Sequence, residues 1–395
     1  MHVNCRMPIL VVGLLITALP VRADVRMLLP FYERHVAVPG ACAWPELNLL
    51  PNGEIAAIIW PESNHALTEG AAECWNSRDA GVTWQRVGIP VPNAPGTCRM
   101  NYSSGVAPDG SLIALVGGWD RVRPKVPPGV PLPPAPPGPL RGKSMNPIPA
   151  ISRDGGRTWV QHAAVPPLPG PAGAALVAWG RISPLPDGKL GVMLYRASVY
   201  FFTSADGGVT WQKRGQLMPE QKEELDRTHN ETTWIPLANG DLYAVSRTYG
   251  DRILEGFRSV DGGTTWKSEG ALTLPSQHPG DLVGLPDGHI LLTYGTRNSG
   301  HRGISARVGK PTAHRWSDPF SLVDFEDSPV PVGSKHPTDG GYPSSIVRPD
   351  GLLVTAYYTA SVPEQQQYHM GVVRWRLTPD IVRWPLNEGA FRKKP

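Results

Sequence analysis

Short apolar runs of four to six residues alternate along the chain with clusters of Asn, Asp, Gly and Pro. The three-to-four-residue apolar period of a helix does not take over anywhere, although a charged connector, Glu220–Arg227, suits a short helix. The stretch His229–Trp266 shows the pattern most fully. Thr232–Pro236 precedes Asn239-Gly240, Leu242–Val245 follows it, and Ile253–Phe257 runs into a turn that ends at Trp266. Apolar runs of that length, joined through Asn-Gly and Asp-Gly, predict an antiparallel meander of strands.

Two repeats extend this reading to the whole chain. Pro51-Asn52-Gly53, Pro108-Asp109-Gly110, Pro186-Asp187-Gly188, Ala238-Asn239-Gly240, Pro286-Asp287-Gly288 and Pro349-Asp350-Gly351 each separate two apolar runs, at spacings of 57, 78, 52, 48 and 63 residues. A strand-and-turn repeat of that period predicts one sheet per repeat around a central channel. The second repeat, Ser-x-Asp-x-Gly-x-Thr-Trp, occurs at Ser77–Trp84, Ser152–Trp159, Ser204–Trp211 and Ser259–Trp266. Its Ser and Asp suit turn amides, its Gly a positive φ, and its Trp the space beneath the turn, so these boxes are read as structural. The expected fold is all-β, a six-bladed β-propeller forming one domain over residues 24–395.

In chain order, the blades are expected at Cys42–Arg86, Arg99–Gln161, Trp179–Lys213, His229–Trp266, His278–Trp316 and Tyr342–Leu377. Blade 5 keeps a decayed turn at Arg307–Trp316, and Met370–Leu377 is expected as the outer strand of blade 6. Residues 124–139 hold nine prolines in sixteen positions, which predicts an extended surface excursion from blade 2.

Composition narrows the setting more than the chemistry. The 41% hydrophobic content suffices for a continuous core, and 43 Gly with 44 Pro fit a turn-rich β protein. Met1–Ala23 reads as a secretory signal: Arg6 before an apolar Pro8–Leu19, then Val21-Arg22-Ala23 as a small-residue cleavage site. A secreted or periplasmic location is therefore expected, and no segment is apolar for long enough to span a bilayer as a helix. Losing Arg6 and Arg22 takes the formal charge from +4 to +2, and no basic stripe points to nucleic acid. Cys5 falls before the apolar run, leaving Cys42, Cys74 and Cys98, among which one disulfide is expected in an oxidising compartment.

Candidate chemistry follows from register. Counting eight residues back from each turn Asp or Asn reaches Trp44, Asn101, Trp179, Glu231, Pro279 and Tyr342, just ahead of the inner strands. Blade 5 opens one residue earlier, on His278. The ends of the second strands carry Trp60, Tyr195 with Arg196, Arg247, Arg297 and Tyr358. One face of the channel thus gathers aromatics, arginines and a glutamate, a set suited to stacking a sugar and holding a carboxylate.

The four Asp boxes on a six-bladed pattern resemble the sialidase (neuraminidase) superfamily, the Asp-box or BNR-repeat family, across nearly all of the mature chain. Asn230-Glu231 followed by Asn239-Gly240 and Ser246-Arg247 is similar to the segment that carries the family's glutamate and one carboxylate-binding arginine. Gly341-Tyr342-Pro343-Ser344-Ser345 resembles the segment of the tyrosine nucleophile, and Arg302, with Arg297 as its rival, stands near the place of another binding arginine. Two departures are plain. Ala43-Trp44-Pro45 stands where the family has Arg-Ile-Pro, and the loop Pro61–Gly70 has Glu62, His65 and Glu69 but no aspartate.

The resemblance implies removal of a terminal sialic acid or related acidic sugar with retention of configuration. Tyr342 would be the nucleophile, Glu231 its proton acceptor, Glu69 the proton donor, and Arg247 and Arg302 the clamp on the acidic group. Trp44, Asn101, Trp179 and His278 would complete the sugar site. No metal and no cofactor are implied; the expected partner is a glycoconjugate or polysaccharide. A non-catalytic carbohydrate-binding propeller and a propeller polysaccharide lyase stand as alternatives. A loop carboxylate beside Tyr342 and Glu231 would favour the hydrolase, and a histidine or second tyrosine facing Tyr342 the lyase.

Overall fold

The six Pro/Ala-Asp/Asn-Gly turns each join the first and second strands of a separate sheet. In every one the glycine amide closes the turn on the carbonyl three residues back, as Gly53 does on Leu50 at 2.9 Å and Gly240 on Leu237 at 3.0 Å. The glycines take φ between 77° and 87°, which a side chain would strain. The computed structural model describes residues 29–120, 122–125, 130, 134, 142–169, 175–219, 228–298, 301–325, 340–360 and 368–385. The expected leader at 1–23, most of the proline-rich stretch 124–139 and the whole of the connector 220–227 lie outside the described residues.

The sheets form a six-bladed β-propeller, all-β among the described residues apart from a three-residue 3-10 turn at Pro379–Ile381. Among the described residues no helix is long and apolar enough to cross a membrane. Blade 1 is the meander Glu46–Leu49, Ile55–Ile59, Glu73–Ser77 and Gln85–Gly88. Blade 4 follows the same order with His229–Pro236, Leu242–Thr248, Leu254–Ser259 and Lys267–Ala271. Blade 3 has a broken inner edge: Gly180–Arg181 leaves its own sheet and pairs in parallel with Ser103–Ser104 of blade 2. The approach is so close there that a Cβ on Gly105 would lie 1.9 Å from the Ile182 carbonyl oxygen.

Closure differs from the expectation. Blade 6 is ordered Tyr32–Pro39, His369–Trp375, Leu353–Thr359, Gly340–Val347, so its outermost strand comes from the N-terminal end of the chain. The stretch expected as the outer strand is the third. Tyr32 pairs with Trp375 and Pro39 with His369, so strands from near both ends of the chain complete one blade and close the ring of blades.

The four Asp boxes are built alike, between the third and fourth strands of blades 1 to 4. In the blade 4 box Ser259 Oγ donates to Asp261 and accepts from Gly263 N–H at 2.8 Å, Thr265 donates twice to the Asp261 carboxylate, and Trp266 Nε1 donates to the Gly263 carbonyl at 3.1 Å. Burial alone would raise the Asp261 carboxyl, but the bonds from Thr265 and Ser259 outweigh it and hold it down to about 2. Meander topology puts these boxes on the same face as the Asp/Asn-Gly turns, opposite the starts of the inner strands.

On the axis, Arg181 ties four blades together. Its guanidinium donates to Leu47 O at 3.2 Å, Asp281 Oδ2 at 2.9 Å and Ser345 O at 2.9 Å, with Glu46 Oε1 at 3.9 Å. The expected disulfide does not form: Cys42, Cys74 and Cys98 are all buried, and no disulfide joins any two of them. Cys74 packs in a different apolar cluster from the other two, and burial pushes its thiol up to about 12.

Candidate functional site

The inner strands of blades 2, 4, 5 and 6 share an irregularity that register counting does not reveal. Each breaks its pairing with the second strand near its start: between Cys98 and Asn101, His229 and Thr232, Gln277 and Gly280, and Gly341 and Ser344. The two residues left unpaired in each case are Arg99-Met100, Asn230-Glu231, His278-Pro279 and Tyr342-Pro343. A β-bulge re-aims side chains that a regular ladder would alternate, and here four bulges lie at nearly the same level around one channel.

The bulges of blades 4 and 6 deliver the central contact. Tyr342 OH donates to Glu231 Oε1 at 2.9 Å, and Arg247 Nη1 donates to Glu231 Oε2 at 2.6 Å and to the Tyr342 oxygen at 3.2 Å. Glu231 is 11% and Arg247 16% exposed at the side chain, so the triad is largely withdrawn from water. Both bonds of Arg247 leave from Nη1, while its Nε is buried without a partner. Burial and the Glu231 charge raise the Tyr342 phenol well above its ordinary range, against the opposing pull of Arg247 and Arg297. The resting phenol is therefore neutral, a donor to the carboxylate.

Aromatic rings wall the triad. Trp179 meets Tyr342 edge-on with centroids 4.9 Å apart, Trp44 lies at 6.4 Å and Tyr358 at 5.6 Å. His65 packs on Trp44 at 5.0 Å, on Tyr358 at 6.0 Å and on Tyr368 at 5.5 Å. Backbone strain collects here: Trp44, Ala66 and Tyr342 all take positive φ, of 40°, 55° and 52°, which costs free energy in residues with a Cβ.

Of the two rival arginines, Arg297 is the one that reaches Tyr342. Its guanidinium stands 5.5 Å from the ring centre and donates from Nε and Nη2 to Gly340 O at 3.2 and 3.0 Å. Arg302 is its direct cross-strand partner in blade 5. His278 is fully buried, with both ring nitrogens unbonded. Burial, then the charges of Arg247, Arg297 and Arg252, push its imidazole down to about 2, so it stays neutral beneath the surface that a ligand would touch. Asn101 is 8% exposed and its Oδ1 has no partner. Glu69 accepts a hydrogen bond from the Gly96 amide, on the blade 2 side of its loop.

Sequence reasoning passed over Arg99 and Tyr368. Arg99 occupies the blade 2 bulge with Nε and Nη1 buried and unbonded, and burial lowers its pKa. Its signal was available, two residues before Asn101 in the counted register. Tyr368 follows residues 361–367 and had no register to mark it. The arrangement can hold an anion against arginines, stack a ring, and move a proton between a phenol and a carboxylate.

The BNR repeat-like domain family matches residues 138–355, more than half of the 395-residue chain. No curated protein matches the chain. Among solved structures, a protein of unknown function from Dyadobacter fermentans DSM 18053 is similar over 89% of this chain and 100% of its own, at 21% identity and a TM-score of 0.68. A mutant Trypanosoma rangeli sialidase displaying trans-sialidase activity is 16% identical, with a TM-score of 0.61 over 87% of this chain and 59% of its own. The NanB sialidase of Streptococcus pneumoniae is 14% identical, with a TM-score of 0.63 over 87% of this chain and 70% of its own. At these identities the likeness is one of fold, and this chain spans well under two thirds of the trypanosomal enzyme.

Proposed function

This chain belongs to the BNR repeat-like domain family, its structural neighbours include sialidases, and from that premise we propose that it is an exo-acting glycoside hydrolase of terminal sialic acid or a related acidic sugar. The observation that carries the reading is the 2.9 Å hydrogen bond from Tyr342 to Glu231. A neutral phenol is a poor nucleophile, and a carboxylate already bonded to its proton relieves that defect as the oxygen attacks. A tyrosine also avoids setting a second full negative charge against an anionic sugar.

In the proposed reaction the Tyr342 oxygen bonds to the anomeric carbon while its proton passes to Glu231. Arg247 stabilises the pair throughout, since it bonds to both partners from one nitrogen. Arg247, through the nitrogens that Glu231 and Tyr342 leave unused, supplies the carboxylate clamp together with Arg297, Arg302 and Arg99, which take the part of the arginine that Ala43 replaces. Trp179, part-exposed beside Tyr342, offers a ring to the sugar, with Trp44 and Asn101 packed behind that surface. Export is part of the same proposal and rests on the sequence of Met1–Ala23.

The testing experiment offers purified protein aryl glycosides of sialic acid and of uronic acids, and follows the anomeric configuration of the released sugar by NMR. Release with retention supports the reading. Binding without release would support the carbohydrate-binding alternative. A lyase acting on uronates keeps one observation in its favour, the presence of His65 and Tyr358 in the ring cluster around Tyr342. It would reveal itself by an unsaturated, ultraviolet-absorbing product.

A further inference from the structure

A tyrosine–glutamate pair accounts for attack on the anomeric carbon, but it provides nothing to protonate the departing oxygen. The loop after the second strand of blade 1 carries three titratable side chains, Glu62, His65 and Glu69. Two are engaged away from the ring cluster. Glu62 accepts from Lys125 Nζ at 2.6 Å, and Glu69 accepts from the Gly96 amide. His65 alone packs against the rings that surround Tyr342. It shares Trp44 and Tyr358 with that residue as ring neighbours, at 5.0 and 6.0 Å from itself and 6.4 and 5.6 Å from Tyr342.

The loop is built to hold His65 in that place. On its N-terminal side, Trp60 Nε1 donates to Asn64 O at 2.8 Å, and the Asn64 side chain accepts from Leu67 N–H at 2.8 Å and donates to Thr68 Oγ1 at 3.0 Å. On its C-terminal side Ala66 is fully buried in a left-handed conformation, with φ of 55°, and its N–H donates to Asn64 O at 3.0 Å. A buried non-glycine residue held in that conformation persists only where its surroundings over-determine it, and such strain gathers at functional positions. Fixing one imidazole from both sides is the preorganisation that a proton-transferring group needs.

We propose that His65 is the catalytic acid and base of this site, a role that rests on the reading of Tyr342 as nucleophile. In the first step the bond from the Tyr342 oxygen to the anomeric carbon forms and the phenolic proton goes to Glu231. The bond from that carbon to the leaving oxygen breaks, and an N–H proton of the imidazolium goes to the oxygen. In the second step the neutral imidazole takes a proton from water as its oxygen bonds to the anomeric carbon. The tyrosyl–carbon bond breaks, and Glu231 returns its proton to the phenolate. Enzyme and protons are restored, and one water is consumed.

The test compares kcat/KM of the wild type, His65→Ala, His65→Gln and Glu69→Gln on 3′-sialyllactose and on 4-nitrophenyl sialoside. Nitrophenolate leaves without a proton, whereas the lactose oxygen must receive one. Loss of the acid should cost on the order of 10²–10⁴-fold on sialyllactose and no more than about tenfold on the nitrophenyl substrate. The proposal predicts this split for both His65 variants and its absence in Glu69→Gln. An equal loss on the two substrates, no loss at all, or the split appearing in Glu69→Gln instead, would overturn it while leaving the nucleophile in place. A wild type that cleaves neither sialoside would overturn the hydrolase reading, and the role of His65 with it.

Discussion

Tyr342 donates its phenolic hydrogen to Glu231 Oε1 across 2.9 Å, joining residues 111 apart in the chain. Two bulges bring them together, one in the inner strand of blade 4 and one in that of blade 6. Tyr342→Phe keeps the ring that packs on Trp179 and removes only the oxygen. Turnover should fall by on the order of 10³-fold or more while the dissociation constant for the product sugar stays nearly unchanged. Glu231→Gln should cost on the order of 10²–10⁴-fold, because the amide cannot take the proton. Steady-state kinetics and calorimetric binding on the same preparations check both.

Arg247 serves two partners from one nitrogen, so its removal exposes a buried carboxylate as well as a phenol. Arg247→Gln should weaken binding of an acidic sugar by about 2–4 kcal/mol. Arg247→Lys should not restore it, since one ammonium cannot reproduce the planar fork. Equal affinity of the wild type for an acidic sugar and its methyl ester would argue against a carboxylate clamp.

The axis makes stability depend on pH. Burial, and the neighbouring Asp281 charge, outweigh the pull of Arg181 and push the Glu46 carboxyl up to about 8, and burial likewise raises Asp281. Between 4.5, the unfolded value, and about 8, the folded protein holds a proton that the unfolded chain has released. Stability from this group is therefore full below the lower value and is lost as pH rises through the window, at up to about 1.4 kcal/mol per pH unit. Glu46→Gln should flatten that slope. Urea denaturation at closely spaced pH values reads it directly.

The Asp boxes lie on the opposite face from the triad and should separate stability from activity. Asp154 accepts from Thr158 N–H, Thr158 Oγ1 and Ser152 Oγ, a set that Asp154→Ala removes together. The expected loss is about 1–3 kcal/mol of unfolding free energy, with kcat/KM unchanged. Thermal melts and kinetics on one variant suffice to check this.

What the sequence disclosed was local, and what it hid was long-range. Each Asp-Gly or Asn-Gly turn needs a positive φ at its glycine, so the six hairpins and the blade count stood in the residues themselves. Glu231 and Tyr342 were reachable by counting because their bulges lie at almost the same distance from those turns. Nothing in Tyr32–Pro39 marks its pairing with His369–Trp375, since a strand bears no sign of which distant edge it will meet. Arg181 hides in a two-residue strand, and its partners come from blades 1, 5 and 6. The choice between Arg297 and Arg302 turned on which of two cross-strand neighbours reaches Tyr342, a matter of side-chain packing that spacing does not encode. His65 drew meaning only from rings that reach it out of blades 1 and 6.

On the proposed reading the Tyr342 oxygen becomes bonded to the sugar. A 2,3-difluoro derivative of sialic acid slows both steps and leaves the glycosyl-enzyme standing long enough to digest and weigh. Mass spectrometry of the peptides should find the fluorosugar on Tyr342, and Tyr342→Phe should carry none. A wild type that turns over sialosides yet shows no adduct, or carries it on another residue, would contradict the account.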